Sequence, residues 1–244
     1  MIDPKLKGLE HFTLAESVIR NRLVVSVDGL TGKGKTHFAL TAPGPIILFD
    51  LDVRTEGVLG KFTSKKTIYH CRYRIPAQNG QPIDVSVAMK QWDKFKADYK
   101  KALVSGARTI IIDTGTEAWE LIRLARFGKL TQVQPFHYGP VNAEFRGLLR
   151  LALECENDVN VLIIHKKKPK YVNDKRTSEY ERAGFSDMGY LVQVAVSIDF
   201  EDGEAICTID KCGLDVTMEG FTLEGPMCTF PMLGQTLLPG GKWK

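Results

Sequence analysis

The sequence predicts one α/β domain with a mostly parallel central sheet, and three observations carry that prediction. Short apolar runs alternate with amphipathic helical patterns along the chain, as they do where strands are joined by covering helices. The first run, Leu23-Val24-Val25-Ser26-Val27-Asp28, leads into Gly29-Leu30-Thr31-Gly32-Lys33-Gly34-Lys35-Thr36 and then His37-Phe38-Ala39-Leu40, so a glycine-rich turn joins a strand to a helix. The 244 residues, 43% of them apolar, suffice for one large core and show no break dividing them into two. Residues 1–22 read as an N-terminal extension, 23–212 as the core, and 213–244 as a C-terminal tail without a chemical constellation.

The turn matches G-x-x-x-x-G-K-T in full. Backbone N–H groups in such a turn, and the positive end of the helix that follows, converge on one anion. The expected ligand is a nucleoside triphosphate, held by residues 29–37. Lys35 is placed to reach the β- and γ-phosphates, and the Thr36 hydroxyl to bind Mg²⁺. The alternative is a fortuitous glycine turn, which the flanking strand and helix patterns argue against.

Further elements follow in order. Pro43 and Pro45 bracket a turn, and Ile46-Ile47-Leu48-Phe49 reads as a buried strand ending in Asp50-Leu51-Asp52. Thr67-Ile68-Tyr69-His70-Cys71 resembles a short strand, and residues 77–82 a loop. Ala88, Trp92, Phe95, Tyr99 and Ala102 keep helical spacing up to Gly106, which predicts a covering helix. The run Thr109-Ile110-Ile111-Ile112-Asp113-Thr114 is a strand with a terminal acid, placing Asp113 as the second Mg²⁺ contact beside the loop. Asp113 could also cap the helix marked by Ala118, Leu121, Ile122 and Ala125, or leave that role to Thr114 or Thr116. A helix with the stripe Val141, Phe145, Leu148, Leu149, Ala152 and Cys155 precedes the core strand Val159-Asn160-Val161-Leu162-Ile163-Ile164.

The strand ends at His165, a candidate polar sensor of the γ-phosphate or, equally, a histidine satisfied by a backbone carbonyl. Between Lys166 and Arg182 stand seven Lys or Arg against three acids, with Tyr171 and Tyr180 interleaved. Pro169 and Gly184 discourage regular structure here, so residues 166–190 are expected to be a mobile basic loop. Cations suit a nucleic-acid backbone and aromatic rings suit unpaired bases. Lys166, Lys167, Lys168, Lys170, Tyr171, Lys175 and Arg176 are the candidate single-stranded DNA contacts, against the alternative of a solvated connection. Two strands, 190–200 and 205–211, flank Asp202-Gly203 as a hairpin extending the sheet. Lys211 ends the second, where it could face a neighbouring subunit's nucleotide or simply solvate an edge.

Composition narrows the rest. Five cysteines without a C-x-x-C pair indicate neither a zinc knuckle nor a disulfide framework, and fit a reducing cytoplasm. No stretch approaches a membrane span, and a net charge of +4 is too mild to identify a nucleic-acid partner alone.

The order Gly29 to Thr36, Phe49-Asp50-Leu51-Asp52, Ile110-Ile111-Ile112-Asp113-Thr114, Tyr138-Gly139-Pro140-Val141-Asn142 and Val161-Leu162-Ile163-Ile164-His165 resembles the bacteriophage RecA-like ATPases that act as single-strand annealing proteins. The resemblance spans about Leu23 to Lys211. It implies a RecA-type core with ATP and Mg²⁺, work on single-stranded DNA in recombination or replication, a ring or filament of identical subunits, and a single-strand DNA-binding protein as a partner. It also implies a water-polarising acid at the end of the strand after the loop helix. That position is Asp52 here, where RecA has Glu, and Glu56 could substitute. No Glu adjoins Asp113, so weak or DNA-dependent turnover is expected. Two rivals stand beside this reading: a P-loop kinase whose lid is the 166–182 tract, and an ATP-gated protein that binds without turnover. No N-K-x-D motif supports a GTPase.

Overall fold

The computed structural model describes residues 20–75, 84–128 and 133–243. The strands β1 (Val24–Asp28), β2 (Ile46–Asp50), β3 (Ile68–Arg72), β4 (Thr109–Asp113), β5 (Asn160–Ile164) and β8 (Val194–Glu201) run parallel within one eight-stranded sheet. Two antiparallel strands, β9 (Glu204–Cys212) and β10 (Thr222–Glu224), extend one edge, giving the order β10-β9-β8-β1-β5-β4-β2-β3. β1 lies at a switch point, paired with β5 on one side and β8 on the other. In open α/β sheets, ligands bind outside the carboxyl ends of the strands at such a point.

The near-continuous apolar runs are explained by burial on both faces. Val24, Phe49, Ile110, Ile112, Val161 and Ile163 face one layer, while Val25, Val27, Leu48, Ile111, Leu162 and Ile164 face the other. The first layer is filled by α3 (Val85–Leu103), α4 (Gly115–Phe127) and α5 (Tyr138–Glu154). Trp92, Phe95 and Tyr99 of α3 stack there, with Phe49 and Phe145 among their ring neighbours. Glu144 joins all three helices, accepting from Trp92, Lys96 and Arg126. Its partial burial favours the neutral form, but those three donors outweigh it and hold the carboxyl down at about 2.

The second layer contains α1 (Lys35–Leu40) and α7 (Phe230–Leu237). Phe230, Leu233 and Trp243 are buried in it, so residues after 213 pack on the core. Lys66 closes the end of α1, donating to the carbonyls of Leu40, Thr41 and Ala42. A short helix α2 (Glu56–Leu59) follows β2, and α6 (Met188–Leu191) precedes β8.

Two expectations are corrected here. Residues 167–182 are not an irregular loop: β6 (Lys167–Val172) and β7 (Lys175–Arg182) pair antiparallel, as the β-branched and aromatic residues of that stretch favour. Asn173 and Asp174 make the turn with positive φ of 51° and 59°, a conformation that such residues tolerate. The strand read from Tyr190 begins instead at Val194, because Met188 and Leu191 bury one face of α6. The Asp202-Gly203 hairpin forms as expected, with both residues at positive φ. The loop expected at 77–82 lies outside the described residues, as does the N-terminal extension up to residue 19. No described helix is long and apolar enough to cross a membrane.

Candidate nucleotide site

The loop from Gly29 to Thr36 leaves the carboxyl end of β1 and turns into α1. Gly32 and Gly34 adopt φ of 82° and 91°, a left-handed geometry that a side chain would strain. Lys35 folds back over the loop and donates to Gly29 O and Leu30 O, both at 2.8 Å. Burial lowers its pKa, while Asp113 opposes that shift. Opposite, Thr36 Oγ1 donates to Asp113 Oδ2 at 2.7 Å. Asp113 ends β4 and is almost wholly buried. Burial pushes its carboxyl up to about 6 against the hydrogen bond from Thr36.

These groups line a cleft of about 270 Å³. Its walls are the loop, Asp52 and Arg54 after β2, Asp113 and Thr114 after β4, and Lys166 after β5, with His37 and Val58 at the side. Asp52 is held by two cations: Arg54, forked onto it at 2.7 to 3.1 Å, and Lys166 Nζ at 2.9 Å. Lys166 also pairs with Glu117. Partial burial alone would lower the Lys166 pKa, but the hydrogen bonds to Glu117 and Asp52 raise it. The cleft therefore has cationic side chains at two sides and a buried carboxylate at its floor.

Most of the expected site residues converge here, and several do not. Thr31, Gly32, Gly34, Lys35, Thr36, His37, Asp52 and Asp113 line the cleft. Lys33 turns outward to Asp199 and Phe200 O. Of the two acids considered for water activation, Asp52 faces the cleft, while Glu56 is 75% exposed and pairs with Arg72. His165 is fully enclosed, its ring close to the backbone of Gly115 and both ring nitrogens without a protein partner. Burial drives its pKa down to about 3, so it is neutral, and it is not among the residues that line the cleft. Lys166, the next residue, is, because successive residues of an extended chain point to opposite sides. Lys166 thus belongs with the nucleotide cleft and not with the outlying cations. Lys211 lies toward the opposite end of β9, paired with Ala195, and donates to Val192 O; within one chain it is not part of the cleft. Thr114 caps α4 by accepting from Glu117 N, whereas Thr116 accepts from Lys166 N and donates to Ala183 O.

Two features escaped the sequence reading. Asp28, the residue before the loop, is gripped by Arg182 at 2.7 to 3.0 Å. Asp50, fully buried beside Asp113 in register, accepts from Thr55, His70 and Val53 N. Only the position of Asp28 against the loop offered a hint.

A family model described as an AAA domain matches residues 21–201, from the residues leading into β1 to the end of β8. The chain belongs to this AAA domain family. Among solved structures, the RadB recombinase aligns with 83% of this AAA domain protein and 86% of its own chain, at 11% identity and a TM-score of 0.50. A second solved ATPase domain aligns with 84% of this chain and 81% of its own, at 13% identity and a TM-score of 0.48. An ATPase from the type III secretion system of pathogenic bacteria aligns with 72% and 52%, at 13% identity and a TM-score of 0.45. No curated protein sequence matches the chain. With the phosphate loop and sheet order described above, this AAA domain protein is a P-loop ATPase of RecA-like fold.

The residues present fit a magnesium nucleotide. Lys35 is positioned over loop carbonyls that a phosphate oxygen would outcompete for its charge. Thr36 and Asp113 offer a hydroxyl and a carboxylate, hard oxygen donors suited to Mg²⁺, and the desolvated Asp113 gains most from a cation beside it. When bound, Mg²⁺ would neutralise developing charge and orient the terminal phosphate for in-line attack.

Proposed function

We propose that this protein binds and hydrolyses Mg²⁺–ATP to control its action on single-stranded DNA, in annealing or strand pairing during recombination or replication. Lys35 and the loop amides hold the phosphates, Thr36 and Asp113 hold the ion, and Asp52 orients the attacking water once Lys166 and Arg54 shift toward the terminal phosphate. The bacteriophage ATPases it resembles supply the biological setting, with assembly into a ring or filament and a single-strand DNA-binding protein as partner.

One observation carries the coupling: one root of the basic hairpin is bonded to an acid of the cleft, and the other to the acid that immediately precedes the phosphate loop. At one root Lys166 holds Asp52 and Glu117; at the other Arg182 holds Asp28. The roots are also joined to each other, Ala183 N donating to Lys166 O. A change of charge in the cleft therefore pulls on the base of the arm directly. This replaces His165 with Lys166 as the group that senses the terminal phosphate.

The test is phosphate release against added single-stranded DNA at two salt concentrations. The expected result is stimulation of several-fold that weakens as salt rises, the log–log slope counting phosphate contacts. Turnover indifferent to DNA at both salts would overturn the reading. Transfer of phosphate to a small acceptor would establish the kinase alternative, and ATP binding with no turnover at all the gated scaffold.

A further inference from the structure

Resting on the single-stranded DNA reading, we propose that only one face of the β6–β7 hairpin is the strand-binding platform, formed by Pro169, Tyr171, Tyr180 and Arg176. The opposite face, which carries Lys168 and Lys170, takes no part.

The register divides the hairpin. Lys167 pairs with Arg182, Pro169 with Tyr180, and Tyr171 with Arg176, whereas Lys168 pairs with Glu181. Directly opposed residues share a face and neighbours along a strand alternate. Lys167, Pro169, Tyr171, Arg176, Tyr180 and Arg182 therefore lie together, with no carboxylate among them. On the other face two of the three cations are cancelled: Lys168 pairs with Glu181 at 3.1 Å and Lys170 with Glu179 at 2.7 Å, while Lys175, opposite Val172 at the turn, keeps its charge. Charge counting along the sequence makes all the lysines of this tract equal, but the pairing neutralises Lys168 and Lys170 and leaves Arg176 beside the rings with no carboxylate on its face.

The same face carries the rings. Tyr171 is 61% and Tyr180 45% exposed, and neither makes a ring contact or side-chain hydrogen bond among the described residues. Ring faces left to water beside an unpaired guanidinium suit bases and phosphates together. At the root, Lys167 donates to Ser197 and Arg182 grips Asp28, so this face is turned toward the carboxyl end of the sheet. A bound strand would lie between the arm and the nucleotide end of the core.

Binding of a fluorescent oligo-dT to the full chain, followed by anisotropy with and without ATP, decides the matter. Tyr171→Ala with Tyr180→Ala is expected to weaken binding about tenfold or more per ring. Arg176→Ala should lower the salt slope by about 1. The paired removals Lys168→Ala/Glu181→Ala and Lys170→Ala/Glu179→Ala should change affinity less than about twofold. Circular dichroism and retained ATP binding report that each variant is folded. If the native chain binds oligo-dT while the tyrosine variant binds equally well, or the paired removals cost as much, the face assignment is wrong. Tighter capture of duplex DNA or of RNA of the same length would overturn the chosen partner. A native chain that ignores oligo-dT in every nucleotide state would instead overturn the functional reading beneath it.

Discussion

Lys35→Ala is expected to lower the kcat/KM of ATP hydrolysis by at least about 100-fold, with the fold retained. Its ammonium lies directly over the loop, 2.8 Å from two of its carbonyls. Remove it and the phosphates lose the cation that lies over the loop, leaving the loop amides and, at the terminal phosphate only, Lys166 and Arg54. The carbonyls of Gly29, which is buried, and of Leu30 also lose their donor, so thermal stability should fall modestly, by about 1 kcal/mol per hydrogen bond lost. Phosphate release and denaturation on the same preparation check both parts, and a variant that unfolds with wild-type turnover would contradict the assignment. Lys35→Arg is the informative companion: the charge is kept while the compact ammonium is replaced by a broad planar fork, and activity should still fall.

Asp113→Asn should act in opposite directions on turnover and on stability. Turnover should drop by about 100-fold or more, because a neutral amide is a poor ligand for Mg²⁺. The ligand-free chain should become more stable. Folding raises this carboxyl from 3.8 to about 6, chiefly through burial. The folded state then binds the proton more tightly than the unfolded state between those values, so stability falls as pH climbs through that window, and the whole penalty is present above it. The shift corresponds to something on the order of 3 kcal/mol as an upper bound. The amide oxygen can still accept from Thr36, so the variant loses the charge and little else. Urea unfolding without Mg²⁺ at pH 5 and pH 8 should show the gain growing with pH. Equal stability of variant and native chain at pH 8 would mean that Asp113 is not the desolvated acid described here.

The groups legible in the sequence were those whose chemistry is local. The phosphate loop is eight consecutive residues, and Asp113 ends a run of β-branched residues; strand and helix periodicity then places both at the same end of the sheet. The acid choice needed three dimensions, since Asp52 and Glu56 are a helical turn apart but only Asp52 faces the cleft. Parity along the extended chain brings Lys166, expected among the DNA contacts, to the cleft in place of His165. The grip of Arg182 on Asp28 joins residues 154 positions apart, beyond the reach of any local pattern. The hairpin is hidden in the sequence because Pro169 and Gly184 signal irregular chain more strongly than the strand-forming residues between them signal pairing. Pro169 is accommodated beside a register irregularity in a strand with a free outer edge. The cancelled charges of Lys168 and Lys170 follow from that pairing and are invisible without it.

Calorimetric titration of the native chain with ATP, in the presence and absence of Mg²⁺, tests the central claim most directly. The account predicts one site per chain, tight binding with the ion, and affinity weakened by an order of magnitude or more without it. No heat of association with ATP or any other common nucleoside triphosphate would contradict it.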